Sequence, residues 1–221
     1  MGDFHKSYEE TVAVSGVSFE VAEGEVLGLV GPNGAGKTTT LKTLSGVIPP
    51  TRGRLTLQGF DVERDQVEVK RRLAYVPDDP QLFPDLTIGQ HLAFTAAAYG
   101  VDPAEEKAAE LLDLFELTPR QKTSARDLSR GQRQKLALCC AYLHDPVALL
   151  LDEPMTGLDP QGIRTLKQTI HSRAEQGSAV IISSHLLAMV EDICSHVLIL
   201  NAGQQHFLGT LEELKQKYVT S

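Results

Sequence analysis

Val26-Leu27-Gly28-Leu29-Val30 runs without a break into Gly31-Pro32-Asn33-Gly34-Ala35-Gly36-Lys37-Thr38, and that junction decides the fold. A continuous apolar run of this length suits a strand covered on both faces, as in a parallel sheet. The residues after it fit the pattern G-x-x-x-x-G-K-S/T without a gap. Glycines here let backbone N–H groups turn inward around phosphate oxygens, where bulkier residues would obstruct them. Lys37 brings positive charge to the β- and γ-phosphates, and Thr38 offers a hydroxyl to Mg2+. The helix expected from about Thr38 to Val47 adds the partial positive charge of its N-terminus. Strand, glycine turn and helix in this order imply a nucleoside triphosphate site built from Gly31, Pro32, Asn33, Gly34, Ala35, Gly36, Lys37, Thr38 and Thr39.

Upstream, alternation at Val17, Phe19 and Val21 predicts a half-buried strand ending at the turn Glu23-Gly24. Downstream, Pro49-Pro50 stops the helix, Arg54 to Gln58 alternates like a strand, and Leu73 to Val76 reads as another, broken by Pro77. From Thr87 to about His144 the pattern turns helical. Thr87 and Gln90 have capping-box spacing, Ala104 to Leu117 is amphipathic, and a third helix is expected from about Gly131 to Leu143. Strand-like runs return at Ala148–Leu151, Ala179–Ser183 and Val197–Leu200, with Asn201-Ala202-Gly203 as a hairpin turn. This succession implies an α/β fold: a mainly parallel core with an antiparallel β edge near the N-terminus and an inserted α-helical subdomain. The expected boundaries give one domain over residues 1–221, with 1–84 and 145–221 as the core and 85–144 as the helical insert.

Composition narrows the function classes. The longest apolar runs, Val147–Leu151 and Leu136–Leu143, fall well short of the roughly 20 residues a spanning helix needs. The first residues lack the basic start and apolar run of a signal peptide, so the chain is expected in the cytosol. A net charge of −8 argues against a nucleic-acid partner, which calls for a basic face. Cys139, Cys140 and Cys194 show no metal or redox spacing and read as buried thiols.

Ala148-Leu149-Leu150-Leu151 ends in Asp152-Glu153. A buried strand that carries a carboxylate at its C-terminal end is a common way to hold Mg2+ opposite a phosphate loop. Asp152 is therefore expected on the metal side. Glu153 is placed to polarise a water attacking the γ-phosphate.

Over nearly the whole chain these residues resemble an ABC-transporter nucleotide-binding domain, a P-loop NTPase with a RecA-like core. Leu128-Ser129-Arg130-Gly131-Gln132 resembles the family's LSGGQ signature. Met155-Thr156-Gly157-Leu158-Asp159 is similar to its D-loop, His185 matches its switch histidine, and Tyr8 lies where the family places an aromatic against adenine. The order of the motifs is far more specific than any one of them. The resemblance implies two domains facing head to tail, each ATP lying between one chain's phosphate loop and the other's signature. Ser129, Gly131 and Gln132 would then meet the partner's ATP, Asp159 would couple the two sites, and His185 would hold the γ-phosphate beside Glu153. It further implies a homodimer or paired nucleotide-binding subunit, a separate transmembrane permease subunit, and a place on the cytoplasmic face of the membrane. A non-transport ABC ATPase acting on nucleic acid or ribosomes, and an importer ATPase, are the alternatives.

Two residues depart from the family pattern. Arg130 stands where the signature usually has glycine, and Asp78 stands where a glutamine usually follows the strand ending at Val76. Asp78 is expected to reach Mg2+ or its water. Together the departures resemble the export branch. Leu82 and Phe83, in the proline-bounded stretch after Asp78, are expected to help line a groove for the membrane subunit.

Overall fold

The computed structural model describes residues 1–219, with side chains as far as Lys217. From the N-terminus, β1 (Gly2–Tyr8) and β2 (Thr11–Val17) form a hairpin, and β3 (Val26–Val30) leads into α1 (Lys37–Leu44). Then come β4 (Arg52–Arg54), β5 (Thr56–Leu57), β6 (Phe60–Asp61), α2 (Gln66–Arg72) and β7 (Leu73–Val76). The helices α3 (Ile88–Tyr99), α4 (Ala104–Leu114) and α5 (Arg130–Tyr142) separate β7 from β8 (Ala148–Leu151). The order continues with α6 (Pro160–Glu175), β9 (Ala179–Ser184), β10 (His196–Asn201), β11 (Gln204–Thr210) and α7 (Leu211–Val219).

The main sheet has the order β11-β10-β3-β9-β8-β7. β10, β3, β9, β8 and β7 run parallel, and β11 is antiparallel to β10 across a tight hairpin. Ala202 and Gly203 both take positive φ in that hairpin, the conformation a two-residue turn needs to match the twist of its strands. β3 is buried along its whole length, as are β8 and most of β9, which is why they read as unbroken apolar runs. The N-terminal antiparallel element forms a sheet of its own, β2-β1-β4.

Side chains alternate across the main sheet into two cores. On one face Leu27, Leu29, Leu150, Ile181 and Leu198 pack with Phe4 and Val14 of the N-terminal sheet and with Leu41 of α1. On the other, Val26, Val76, Leu149, Val180 and Ile182 share a cluster with Ile88, Leu92, Leu112, Leu136 and Leu166 from α3 to α6. The helical segment thus buries its apolar stripe against the sheet.

Local signals explain most boundaries. Thr87 caps α3 and Gln90 returns the bond, a complete capping box, and Gly100 at φ 68° ends the helix. The strand expected at Val17 to Val21 is replaced by irregular chain after Val17. Phe19 is buried there as a plug against the first core, so its alternation records burial without sheet pairing. Cys139 and Cys194 are buried and Cys140 partly so, all as free thiols. Among the described residues no helix is long and apolar enough to cross a membrane.

Candidate ATP-binding site

Because β3, β7, β8 and β9 are parallel, their C-terminal ends deliver Gly31, Asp78, Asp152-Glu153 and His185 to one edge of the sheet. The phosphate loop turns there through Gly34 at φ 80° and Gly36 at φ 102°. Gly36 also lies against the chain: a Cβ there would sit 2.7 Å from the Ala13 carbonyl of β2. Gly31 is tighter still, with a Cβ position 2.1 Å from the Leu200 carbonyl. These contacts shape the loop as a cradle of backbone at the start of α1.

Lys37 is buried and donates from Nζ to the carbonyls of Gly31, at 2.7 Å, and Pro32, at 3.2 Å. The same ammonium lies 3.3 Å from Glu153 Oε1, close enough for charge attraction although no hydrogen bond reaches that oxygen. Glu153 Oε2 meets His185 Nδ1 at 2.9 Å. The carboxylate is therefore held between Lys37 and His185. Its backbone takes φ 46°, a left-handed conformation that costs a non-glycine residue about 1–3 kcal/mol and persists only where the surroundings enforce it.

Ser183 supplies part of that enforcement. Its hydroxyl accepts from the Glu153 N–H at 2.9 Å and donates to Asp152 Oδ1 at 2.7 Å. Asp152 is 1% exposed, and Tyr75 donates to its Oδ2 at 3.4 Å. Burial and the adjacent Asp152 charge push the Tyr75 phenol well above its ordinary value, which keeps it a donor. Sequence reading missed both Ser183 and Tyr75; the available signal was a hydroxyl closing an apolar strand.

Ser129 caps α5, accepting from the Gln132 N–H at 3.3 Å while the Gln132 side chain accepts from the Ser129 N–H at 3.0 Å. A Cβ on Gly131 would fall 2.5 Å from the Gly157 carbonyl, so the start of α5 rests on the loop after Glu153. Asp159 caps α6 through the Gly162 N–H at 3.1 Å and meets Lys135 Nζ of α5 at 3.2 Å. Ser129, Gly131, Gln132 and Asp159 are thus gathered at one junction, and no hydrogen bond among the described residues ties them to the phosphate loop.

Asp78 places Oδ1 on Arg130 Nη2 at 2.8 Å. Thr38 is exposed at the start of α1, and Thr39 is half-buried behind it. Tyr8 is 45% exposed at the tip of the β1–β2 hairpin, with the Lys6 ammonium 5.0 Å from its ring centroid. Ala13, on the same hairpin, abuts Gly36. Leu82 turns inward onto the second core, whereas Phe83 is 54% exposed and lies edge-on to the exposed Phe94 at 5.4 Å. The apolar surface expected of that stretch therefore comes from Phe83 and Phe94.

This arrangement, strand ends converging on a phosphate loop with an acidic pair and a histidine beside it, defines a nucleotide-binding ATPase domain. The chain belongs to the ABC transporter family, whose model matches residues 14–156, and it is an ATP-binding subunit of that family. It is 35% identical over 211 residues to the linearmycin resistance ATP-binding protein LnrL of Bacillus subtilis (strain 168), covering 95% of this chain and 68% of that protein. It is 34% identical over 216 residues to the Nod factor export ATP-binding protein I of Cupriavidus metallidurans (strain ATCC 43123 / DSM 2839 / NBRC 102507 / CH34), covering 97% of this chain and 71% of the relative. A solved structure described as the ATP binding subunit of an ABC transporter superposes with a TM-score of 0.93 at 33% identity, over 99% of this chain and 92% of that one.

Proposed function

We propose that this protein binds and hydrolyses Mg-ATP between two head-to-tail copies, or between itself and a paired subunit, and so powers export by a separate membrane subunit at the cytoplasmic face. The observation that carries the reading is the Glu153 carboxylate, held between Lys37 and His185 and pinned through Ser183 to Asp152. The phosphates of ATP would enter the backbone cradle from Gly31 to Thr39 and take Lys37 from its present carbonyl partners. Glu153 is then left to orient and deprotonate the attacking water, with His185 holding the γ-phosphate and Tyr8 stacking on the base.

The donor set fits Mg2+. Thr38 has its hydroxyl at the open start of α1, and Asp152 is a buried carboxylate already oriented by Ser183 and Tyr75. Thr38 and Asp152 would hold the ion, with Asp78 facing its water. Bound there, Mg2+ supplies charge neutralisation across the β- and γ-phosphates. Ser129 and Gly131, at the N-terminus of α5, would meet the γ-phosphate of the partner's ATP. Gln132 supports Ser129 there, and Asp159 links the junction to the partner. We assign residues 1–84 and 145–221 to the nucleotide core and 85–144 to the helical subdomain that presents the signature.

Export is favoured over import by the paired departures at Arg130 and Asp78 and by relatives whose names specify resistance and Nod factor export. The exposed Phe83–Phe94 pair is our choice for the contact with the membrane subunit. Glu153→Gln tests the sandwich. In saturating Mg-ATP it should run as a stable dimer by size-exclusion chromatography with light scattering, while Lys37→Ala loses nucleotide. A Glu153→Gln protein that stays monomeric would overturn the model.

A further inference from the structure

Arg130 and Asp78 depart from the family pattern separately in sequence, yet the fold puts them in contact. Arg130 is the first residue of α5, immediately after the Ser129 cap. Its guanidinium reaches back 52 positions to Asp78, two residues beyond the end of β7. Its aliphatic stem lies along Gly157: a Cβ on that glycine, which has φ 79°, would sit 3.2 Å from Arg130 Cγ and Cδ. One side chain therefore touches both loops that flank the acidic pair.

The other contacts of α5 show what this pair does. Lys135, further along the helix, meets Asp159 at 3.2 Å and Glu116 at 3.5 Å. Between Arg130 and Lys135, Gln134 is buried with no hydrogen-bond partner for either amide atom. Core packing and the Gly131–Gly157 contact seat α5, and the Arg130–Asp78 strut adds a charged tie at its first turn. The Asp78 strut continues toward the chemistry, because the Val76 carbonyl, two residues before Asp78, accepts from the Asp152 N–H at 2.9 Å. Arg130 and Asp78 are each close to half exposed, and an ion pair so placed contributes little to global stability. Its consequence is orientation.

Building on the sandwich reading above, we infer that Arg130 and Asp78 form a positioning pair that fixes the bearing of Ser129 and Gly131 relative to the Asp152–Glu153 strand end. On this inference the two departures act as one unit: an ion pair across the junction between the β7 strand end and the start of α5. Asp78 Oδ1 holds Arg130.

A double-mutant cycle on the full chain tests this. Arg130→Gln keeps most of the stem and removes the charge, Asp78→Asn keeps the shape and removes the charge, and Arg130→Lys keeps both stem and charge. The single neutral variants should lower kcat at saturating Mg-ATP by about fivefold or more, and Arg130→Gln should keep nucleotide affinity within about twofold of the parent. The double variant should be no slower than the slower single, and Arg130→Lys should lie within about twofold of the parent. In the nucleotide-free protein, amide exchange over residues 125–134 should quicken in both neutral singles and not in Arg130→Lys. Losses that multiply in the double, or an Arg130→Lys protein as slow as Arg130→Gln, would overturn the inference. Failure of the sandwich reading shows separately, as a monomeric Glu153→Gln protein, whereas failure of the pair leaves that dimer intact.

Discussion

Replacing Ser183 by alanine should cost this protein both stability and, on the proposed function, turnover, because one buried hydroxyl serves both residues of the acidic pair. Ser183 is 1% exposed, so water cannot replace what it provides. Its bond to Asp152 Oδ1, at 2.7 Å, goes to a carboxylate, and such bonds are worth about 1.5–3 kcal/mol. The Glu153 N–H that it accepts at 2.9 Å is an ordinary amide donor, worth about 0.5–1.5 kcal/mol. Together these predict a loss of about 2–4 kcal/mol by urea unfolding of the full chain. Turnover should respond at least to the second bond. Glu153 sits at φ 46°, and without the Ser183 acceptor its backbone can leave that strained conformation; about 1.4 kcal/mol of lost positioning is a tenfold fall in kcat. Phosphate release measures this. The cycle with Asp152→Asn sharpens it, since removing Ser183 beside a neutral amide loses two neutral bonds and should cost about 1–3 kcal/mol, less than beside the carboxylate. A Ser183→Ala protein within about 0.5 kcal/mol and twofold of the parent would refute the reasoning, as would equal losses in both backgrounds.

Two further outcomes follow from packing and charge. Gly131→Ala would bring a Cβ within 2.5 Å of the Gly157 backbone carbonyl; stability should fall by about 1–3 kcal/mol and ATP-driven dimerisation should be lost, while the isolated chain still binds ATP in equilibrium dialysis. Asp145 holds Arg173 of α6 and Lys107 of α4. Burial would raise its carboxyl, but those two cations outweigh it and hold the group below its ordinary value. A depressed folded value means that its contribution is complete above the unfolded value of about 3.9 and is lost as pH falls through the folded one. Asp145→Asn should therefore flatten the decline of the urea midpoint as pH falls below about 4, and an unchanged acid limb would refute the assignment.

What was legible in the sequence, and what was not, divides along the range of the interactions. β3, β7 and β8 could be read because strands buried on both faces must be apolar throughout, and α3 announced its start through a local capping box. The β1 strand was missed because its two buried positions, Phe4 and Lys6, alternate as a strand requires but only one of them is apolar. Phe19 misled for the opposite reason, being buried without a sheet. Ser183 was hidden by register: Leu151 pairs with Ile182 across β8 and β9, so the next residues, Asp152 and Ser183, lie abreast, a fact that no property of either segment alone contains. The Arg130–Asp78 pair is the extreme case. Taken singly, an arginine for glycine adds bulk and charge at the start of α5, and an aspartate for glutamine shortens a reach; neither points to the other. Each also supplies the charge that the other lacks, and because they lie 52 positions apart only the pairing of β7 with β8 and the packing of α5 on Gly157 bring the two departures into one contact. A substitution that restored glycine at 130 alone should therefore strand Asp78 and impair the protein, even though it moves the signature closer to its usual form.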